Sequence, residues 1–537
     1  MEATVRERLS AVRGRAGLLW LLVGGVLPAV YLLARLVRDV GAKPLFIDEA
    51  LAGLISARPL GEVVSVVLWD RGGAPGHFVL THFAFAFDAS FQAMRWVSVV
   101  FAVAAVPVVY DLGRRLAGPA AGATAAFVLA SSSMLGVYGS FGRMYAVFVF
   151  ATALAADLFV RALDLRTGRA ATAAAAAAWL MPAVHPYGLI VLGAEAFVAL
   201  VVWRGRPLRP AIPVFVVALA LLPFVLADLK LSNRFSVGIE GNSGLTSPSK
   251  AVNLVEGALG GAAGGRGALF VLFLLLGAAG LVLLLRTEPA FVAFAVLAVL
   301  GPPVLLVLGR AGGEGGVAHL STRHLIYALP LEAAAIGAAV GLGLGRFGPH
   351  AAALGAVVVV VLAIVAPART GDPRFATDAR PGVLAAPAAW LDPRIEKDDV
   401  LFPVSPVFLD ALSAARRGIT VARRDSPLET LDHEEFPAPG VVVAVPTSRS
   451  VVDVEALQEA LPADAEVRSF PRWLLIRVPG PYADSKAALQ AIVDTLAAAR
   501  GATTKTSAPL ADYYRSSTRL LCGSLRRLGS PCAAPAA

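Results

Sequence analysis

The chain has 537 residues, 57% of them hydrophobic and 16% charged, with a mean hydropathy of +0.71; a soluble globular protein is nearer ~45–50% apolar. That composition excludes a soluble protein and describes a polytopic membrane protein. The formal charge of +9 does not argue for a nucleic-acid partner, because the arginines cluster in short loops between apolar segments, where they set topology.

Arg6, Arg8, Arg13 and Arg15 precede an apolar run over 16–36, the layout of a signal peptide's charged and hydrophobic regions. No small-residue cleavage site follows, so the run reads as an uncleaved signal-anchor helix with a cytoplasmic N-terminus. Just beyond it, Pro44-Leu45-Phe46-Ile47-Asp48-Glu49-Ala50 places adjacent carboxylates at the outer membrane surface. An acid at a membrane edge is expensive to keep and is a functional candidate, although Asp48 also suits the N-cap of a helix over 49–57. Further segments long enough to span at ~20 residues per crossing run over 94–113, 119–137, 144–163, 170–184, 186–203, 210–228, 267–285, 289–309, 323–344 and 350–367. With the first, these make eleven.

A shorter apolar stretch over 74–87 carries His77 and His82. Leaving it out of the span count puts Arg114/Arg115, Arg161/Arg166/Arg169, Arg204/Arg206/Arg209, Arg286 and Arg346 on the cytoplasmic side with the N-terminal arginines. Counting it would move the clusters from Arg114 onward outside, against the positive-inside bias. It therefore reads as a half-embedded or surface helix within a long first outer loop, 38–93. The same parity sends Asp48, the 138–143 turn, His185, the 229–266 loop, Arg323 and His324 to one outer face.

After about residue 365, Pro, Asp, Arg and Glu become frequent and the long apolar runs stop. Strand-like runs at 400–404, 419–422, 441–445 and 473–478 alternate with helix-like stretches at 407–415, 454–460 and 486–499. That alternation predicts a small α/β domain over 368–515, outside the cytoplasm if eleven spans precede it. The tail, 516–537, is expected to be disordered. Cys522 and Cys532 are too few for a disulfide framework or a cysteine zinc site and could pair if the tail is extracytoplasmic. Glycine-rich 260–267 and 312–316 read as flexible outer loops. Rossmann, P-loop, HExxH and nucleophile-elbow signatures are missing, so nucleotide-driven chemistry is not expected.

Five motifs, in their order and spacing, carry a resemblance to a known family. They are Phe46-Ile47-Asp48-Glu49-Ala50, then Trp69-Asp70-Arg71-Gly72-Gly73-Ala74-Pro75-Gly76-His77, then Met94-Arg95-Trp96-Val97-Ser98 with its continuation to Gly113-Arg114-Arg115. Tyr138-Gly139-Ser140-Phe141-Gly142-Arg143-Met144-Tyr145-Ala146 and Arg323-His324-Leu325-Ile326-Tyr327-Ala328-Leu329-Pro330 complete the set. Residues 1–367 thereby resemble the C-type glycosyltransferases, polyprenyl-phosphate-sugar-dependent integral membrane enzymes, in the branch similar to protein O-mannosyltransferases and the lipid A aminoarabinose transferase. The fold implied is a polytopic α-helical membrane protein of about eleven transmembrane helices in the plasma (inner) membrane, with the small C-terminal α/β domain outside.

The resemblance implies inverting transfer of a sugar, mannose among the candidates, from a polyprenyl-phosphate donor to an extracytoplasmic lipid, glycan or protein hydroxyl. Asp48 would be the general base. Arg143 and Arg323, with His185 and His324, would bind the donor phosphate; Glu49, Asp70 and Tyr138 would support the site. For the arginines the alternative is anchorage of helix ends at headgroups; Tyr138 and Tyr145 also read as interfacial belt residues. One departure stands out: the family's 138–146 turn carries an acid where this chain has Phe141. A divalent metal shared by two carboxylates is thereby left open, with Asp70 or Glu49 as substitutes for the missing acid. The competing readings are a multi-span transporter or lipid flippase, against which no repeat relates the two halves, and an inert membrane scaffold.

Overall fold

A computed structural model describes residues 17–40, 47–70, 74–88, 90–203, 248–264, 267–310, 322–365, 386–402 and 438–532, with isolated gaps in the last two stretches and a few single positions within 216–226. The arginines at 6–15, most of the expected span 210–228, the glycines of 312–316, the helix 407–415 and the strand 419–422 lie outside the described residues. The chain divides into two compact units: Met1–Ala42, Val64–Leu80 and Met94–Pro373 form the first, and Lys43–Val63, Thr81–Ala93 and Arg374–Ala537 the second.

The helices in chain order are α1 (Gly17–Val40), α2 (Ile47–Ser56), α3 (Leu60–Asp70), α4 (Gly76–Phe85), α5 (Phe91–Ala117), α6 (Pro119–Ser131), α7 (Ser133–Tyr138), α8 (Tyr145–Leu165), α9 (Gly168–Val184) and α10 (Gly188–Trp203). After them come α11 (Pro248–Ala263), α12 (Ala268–Leu284), α13 (Pro289–Arg310), α14 (Ala328–Phe347) and α15 (Pro349–Val365). The helices α1, α8, α14 and, from Gln92, α5 are each long and apolar enough to cross a membrane; α6 and α15, and apolar stretches of α10 and α13, are shorter. Leu19, Leu22 and Val30 on α1, Leu275 and Val282 on α12, and Leu354 and Val357 on α15 are exposed. Such apolar faces suit hydrocarbon rather than water.

At the centre of the first unit lies α6, buried at every position from Ala120 to Ser131. A helix that is apolar all round belongs in an interior. Its neighbours reach it through small residues. A Cβ added at Gly337 of α14 would sit 2.3 Å from the Ala121 carbonyl oxygen, and one at Gly341 2.9 Å from the Ala121 Cβ and 2.3 Å from the carbonyl oxygen of Ala117 at the end of α5. Between α12 and α14 the approach is closer still, 1.8 Å from a Cβ at Gly280 to the Ala335 oxygen. Lipid tails are as apolar as leucine, so helices in a bilayer associate by such close packing rather than by escape from water.

Two expectations change here. The span read over 119–137 is broken at Ser132, whose extended backbone ends α6 and whose hydroxyl accepts the Leu135 N–H that opens α7. The same hydroxyl and that of Ser133 donate to the Gly261 carbonyl, at 3.0 and 2.9 Å. The 229–266 segment, read as a loop with flexible glycines at its end, forms α11 from Pro248 to Ala263. Gly260 and Gly261 lie inside that helix because Gly261 must pass close to Met134, where a Cβ would be 2.9 Å from the sulfur.

Helices α5 and α8 run side by side in the same direction. Phe101 packs on Phe150 at 5.2 Å, and Ser98 donates to the Arg143 carbonyl at 3.2 Å near the start of both. At their far ends Asp111 accepts from Arg114, Arg115 and Arg161, while Asp157 pairs with Arg115 and Arg161 at 3.2 and 3.0 Å. These basic helix ends thus carry their own counter-charges, as a network rather than as isolated surface pairs.

The second unit is built on a mixed sheet of β1 (Val400–Phe402), β2 (Ala438–Pro446), β4 (Glu466–Ser469) and β5 (Trp473–Tyr482), in the order β1-β2-β5-β4. Strands β1 and β2 are parallel, and the other pairs antiparallel. The period-2 alternation of β2 faces that of β5: Val441 opposes Val478, Val443 opposes Ile476 and Val445 opposes Leu474. Onto this face pack α17 (Ser485–Gly501), through Leu489, Ile492, Val493 and Leu496, and α18 (Ala508–Arg527), through Leu510, Tyr514, Leu521 and Leu525. A short α16 (Val454–Ala460) and a two-stranded ribbon of β3 (Val451–Val452) and β6 (Thr503–Lys505) complete it. The tail after Ser516, expected to be disordered, continues as helix to Arg527 because its apolar stripe is part of this core. Cys522 and Cys532 are joined in a disulfide. Within the same unit His82 Nδ1 lies 2.9 Å from the Ser56 carbonyl, tying α4 to α2.

Gly280→Ala is expected to lower the unfolding midpoint in detergent by an amount equivalent to ~1–3 kcal/mol, the usual cost of forcing atoms into a filled contact. Gly61→Ala, whose Cβ would meet nothing within 4 Å, should not lower it. Fluorescence-monitored melting of both variants checks this, and an unaltered Gly280→Ala midpoint would show that the α12–α14 crossing can slide apart without loss.

Candidate active site

The first unit gathers polar and aromatic side chains where three chain breaks meet: the 139–144 turn between α7 and α8, the 185–187 break between α9 and α10, and a 3-10 turn, Thr322–Leu325, that leads into α14. Each break has a local cause. In the first, the Arg143 amide turns back onto the Phe141 carbonyl at 2.7 Å. In the second, α9 ends at His185 with an extended backbone, and Gly188 sits where a Cβ would be 2.2 Å from the Met181 carbonyl carbon. Pro186, lacking an N–H, cannot continue the α9 ladder.

Helix α4 joins from the segment between α3 and α5. Gly76 passes so near the end of α9 that a Cβ would be 2.8 Å from the Ala183 oxygen, and buried His77 places Nε2 3.3 Å from the Gly142 carbonyl. A carbonyl can only accept, so this nitrogen carries the proton.

Aromatic rings line the cluster. Tyr138 contacts Phe141 at 5.8 Å and Tyr145 at 4.8 Å, and Phe141 stacks on Tyr145 at 6.1 Å. Tyr145 in turn stacks on His324 at 6.4 Å and lies 6.0 Å from His185. His185 lies flat on Phe148, 4.8 Å away with planes 6° apart, and against Tyr187 at 5.5 Å and His324 at 5.5 Å. Tyr187 and His324 are 5.2 Å apart; Tyr327 packs on Phe148 and donates its hydroxyl proton to the Ala298 carbonyl at 2.8 Å. Tyr145 and His185 are buried, whereas Arg143, Tyr187, Arg323 and His324 are half-buried. Buried rings therefore form a floor beneath two arginines, a histidine and a tyrosine at the edge.

The charges act on the floor. Burial is the main reason that His185 is held down to about 3, and the guanidiniums of Arg143 and Arg323 add to it. His77 is likewise held to about 3 by burial, then by Arg143, against a small opposing effect of its bond to Gly142. Both imidazoles are therefore neutral under ordinary conditions.

Of the residues singled out by sequence, Tyr138, Arg143, His185, Arg323 and His324 come together here. Asp48 and Glu49 lie in α2, in the second unit; the Asp48 and Asp70 side chains are outside the described residues, and Glu49 is buried. The backbone of Asp48 is within the first turn of α2, which begins at Ile47, rather than at the cap. Tyr138 and Tyr145, which also read as interfacial belt residues, are 7% and 2% exposed and belong to the aromatic floor. Sequence reading missed Phe148, Tyr187 and Tyr327 as members. The only signals were helical spacing from Tyr145 for Phe148 and adjacency to the His185 and Arg323 motifs for the tyrosines. Phe141, in the place of the family's acid, is part of the ring stack. No group of three His, Cys, Asp or Glu side chains able to hold a metal ion occurs among the described residues.

Between pH 3 and 6.5 the unfolded chain binds protons that the two folded rings refuse. Stability should thus be full above about pH 6.5 and decline as pH falls, by up to ~1.4 kcal/mol per pH unit for each ring. Melting in detergent from pH 7.5 to 4.5 should show this slope, and His185→Phe should flatten it. An equal slope in the variant would mean that His185 protonates in the folded protein as readily as in the unfolded one.

Comparison with known proteins agrees with this architecture. The family described as dolichyl-phosphate-mannose-protein mannosyltransferase matches residues 74–227. No curated protein sequence matches the chain. Among solved structures, ArnT from Cupriavidus metallidurans in the apo state superposes with a TM-score of 0.54 at 15% identity, covering 87% of this chain and 100% of that one. The same protein bound to undecaprenyl phosphate gives 0.55 at 14% identity, covering 86% and 99%. The chain thus shares the fold of this solved protein, and the segment that supplies most of the aromatic floor lies within the residues that match the mannosyltransferase family model.

Proposed function

We propose that the chain transfers a sugar, with mannose the first candidate from the family description, from a polyprenyl-phosphate donor to a hydroxyl acceptor outside the cytoplasm. The observation that carries this reading is the meeting of Arg143, Arg323 and His185 around one aromatic floor, in a fold whose solved relative binds undecaprenyl phosphate. Arginine's planar fork suits phosphate oxygens, and partial burial strengthens its field at a leaving group.

In the proposed step the acceptor oxygen attacks the anomeric carbon while the bond from that carbon to the phosphate oxygen breaks. The electron pair leaves with the polyprenyl phosphate, and the acceptor's proton passes to the Asp48 carboxylate. A single displacement inverts the anomeric centre. Arg143 and Arg323 neutralise the departing phosphate, His324 lies at its edge, and Glu49, Asp70 and Tyr138 support the site. With Phe141 in the ring stack, the described residues do not assemble a group of three His, Cys, Asp or Glu side chains for a metal.

The proposed orientation sets the N-terminus in the cytoplasm and the site and C-terminal unit outside. The basic ends of α5 and α8 support this through the positive-inside bias, and the Cys522–Cys532 disulfide supports it because such bonds persist in oxidising compartments.

Membranes containing Asp48→Asn, matched with wild type for folded protein, should lose ~10²–10⁴ in transfer from radiolabelled polyprenyl-phosphate sugars while still binding undecaprenyl phosphate. Arg143→Ala and Arg323→Ala should lose both. Transfer that survives in Asp48→Asn removes Asp48 as the base. Lipid-phosphate binding that survives in both arginine variants removes the phosphate site.

A further inference from the structure

Arg143 stands in a turn that lies between two helices and in neither: α7 ends at Tyr138 and α8 begins at Tyr145, where the Phe148 amide donates to the Met144 carbonyl at 2.9 Å. Buried backbone carbonyls outside a helical ladder need donors from elsewhere. Three consecutive carbonyls of this turn receive them. Phe141 accepts the Arg143 amide at 2.7 Å, Gly142 accepts His77 Nε2 of α4 at 3.3 Å, and Arg143 accepts the Ser98 hydroxyl of α5 at 3.2 Å. His77 and Ser98 are both 0% exposed, so bulk water does not compete for either bond. Each donor is itself held: the close passage of Gly76 beside the end of α9 fixes the start of α4, and the contact of Phe101 with Phe150, one turn beyond Ser98, holds α5 against α8.

These bonds fall on the two peptide planes that flank the Arg143 α-carbon. The 142–143 peptide is held at its oxygen by His77 and at its N–H by the Phe141 carbonyl, and the 143–144 peptide is held at its oxygen by Ser98. Peptide units are rigid, so φ and ψ at Arg143 are the only soft angles between them. Fixing both planes fixes the direction of the Cα–Cβ bond. We infer that His77 and Ser98 are positioning residues for the transfer: they clamp the backbone on either side of Arg143 and so aim its side chain. They act only through Arg143, and what they supply is orientation that is in place before the donor arrives. This rests on the reading that Arg143 acts on the donor.

The test uses the purified full chain in detergent, with transfer from a radiolabelled polyprenyl-phosphate sugar and binding of undecaprenyl phosphate measured side by side. Ser98→Ala removes one donor by deleting a single oxygen, and Ser98→Thr restores the hydroxyl; His77→Leu removes the other donor, and His77→Gln restores an N–H. Ser98→Ala and His77→Leu should each lower kcat per folded molecule roughly 3- to 10-fold, the scale of one hydrogen bond. Binding of undecaprenyl phosphate should change less than kcat does, because the guanidinium is still present. Ser98→Thr and His77→Gln should recover most of the loss. In an Arg143→Lys background, where a flexible ammonium replaces the planar fork, Ser98→Ala should cost less than it does in the wild type.

A wild-type kcat in folded Ser98→Ala overturns the clamp. So does a loss that neither Ser98→Thr nor His77→Gln recovers, or one that is as large in the Arg143→Lys background. If His77→Leu does not fold, Ser98→Ala and its rescue decide. If Arg143→Ala transfers at the wild-type rate, the reading beneath the inference has failed. If Arg143→Ala is inactive while Ser98→Ala and His77→Leu transfer normally, only the clamp has.

Discussion

The first unit depends on backbone contact between helices. In lipid no apolar side chain gains by leaving its surroundings, so the bundle is held where Gly280 meets Ala335, Gly337 meets Ala121 and Gly341 meets Ala117. These crossings lock α12, α14 and the central α6 at a distance that any side chain would spoil. The position of α14 then sets that of the Thr322–Leu325 turn at its head, and with it Arg323 and His324. The serine break at 132, bonded to Gly261, sets the direction in which the chain enters the 139–144 turn. Packing far from the chemistry thus decides where the cations stand.

The site sets positive charge beside buried aromatic rings. At the far ends of α5 and α8, Asp111 and Asp157 share three arginines. Around Arg143 the immediate neighbours in the turn are rings, Tyr138, Phe141 and Tyr145. Phe141, which at first looks like a lost acid, contributes to the buried floor through Tyr138 and Tyr145. Burial above all, with the arginine charges adding to it, keeps His77 and His185 neutral, so these histidines are limited to what a neutral imidazole can do, donating and accepting hydrogen bonds.

The second unit obeys soluble-protein rules. Alternating valines on β2 face alternating apolar residues on β5, and two amphipathic helices cover that face. It takes in Lys43–Val63 and Thr81–Ala93 from between α1 and α5, so the helix bearing Asp48 and Glu49 belongs structurally with the α/β fold although in sequence it adjoins the first hydrophobic segment.

Composition and hydrophobic length were enough to establish a polytopic membrane protein followed by a soluble α/β unit, since both rest on local periodicity and on the cost of placing charge in lipid. Motif order carried a resemblance to a family whose model matches residues 74–227, and charge parity predicted a common face for Arg143, His185, Arg323 and His324, which the structure brings together. Tertiary structure decided what periodicity cannot carry. It broke 119–137 at Ser132, made a helix of 248–263, and ordered the tail beyond Ser516, each through contacts with residues distant in the chain. It also turned Tyr138 and Tyr145 inward and added Phe148, Tyr187 and Tyr327. A single aromatic residue has the same local signature at a membrane interface as in a ring stack, and only the meeting of three chain breaks distinguishes the two.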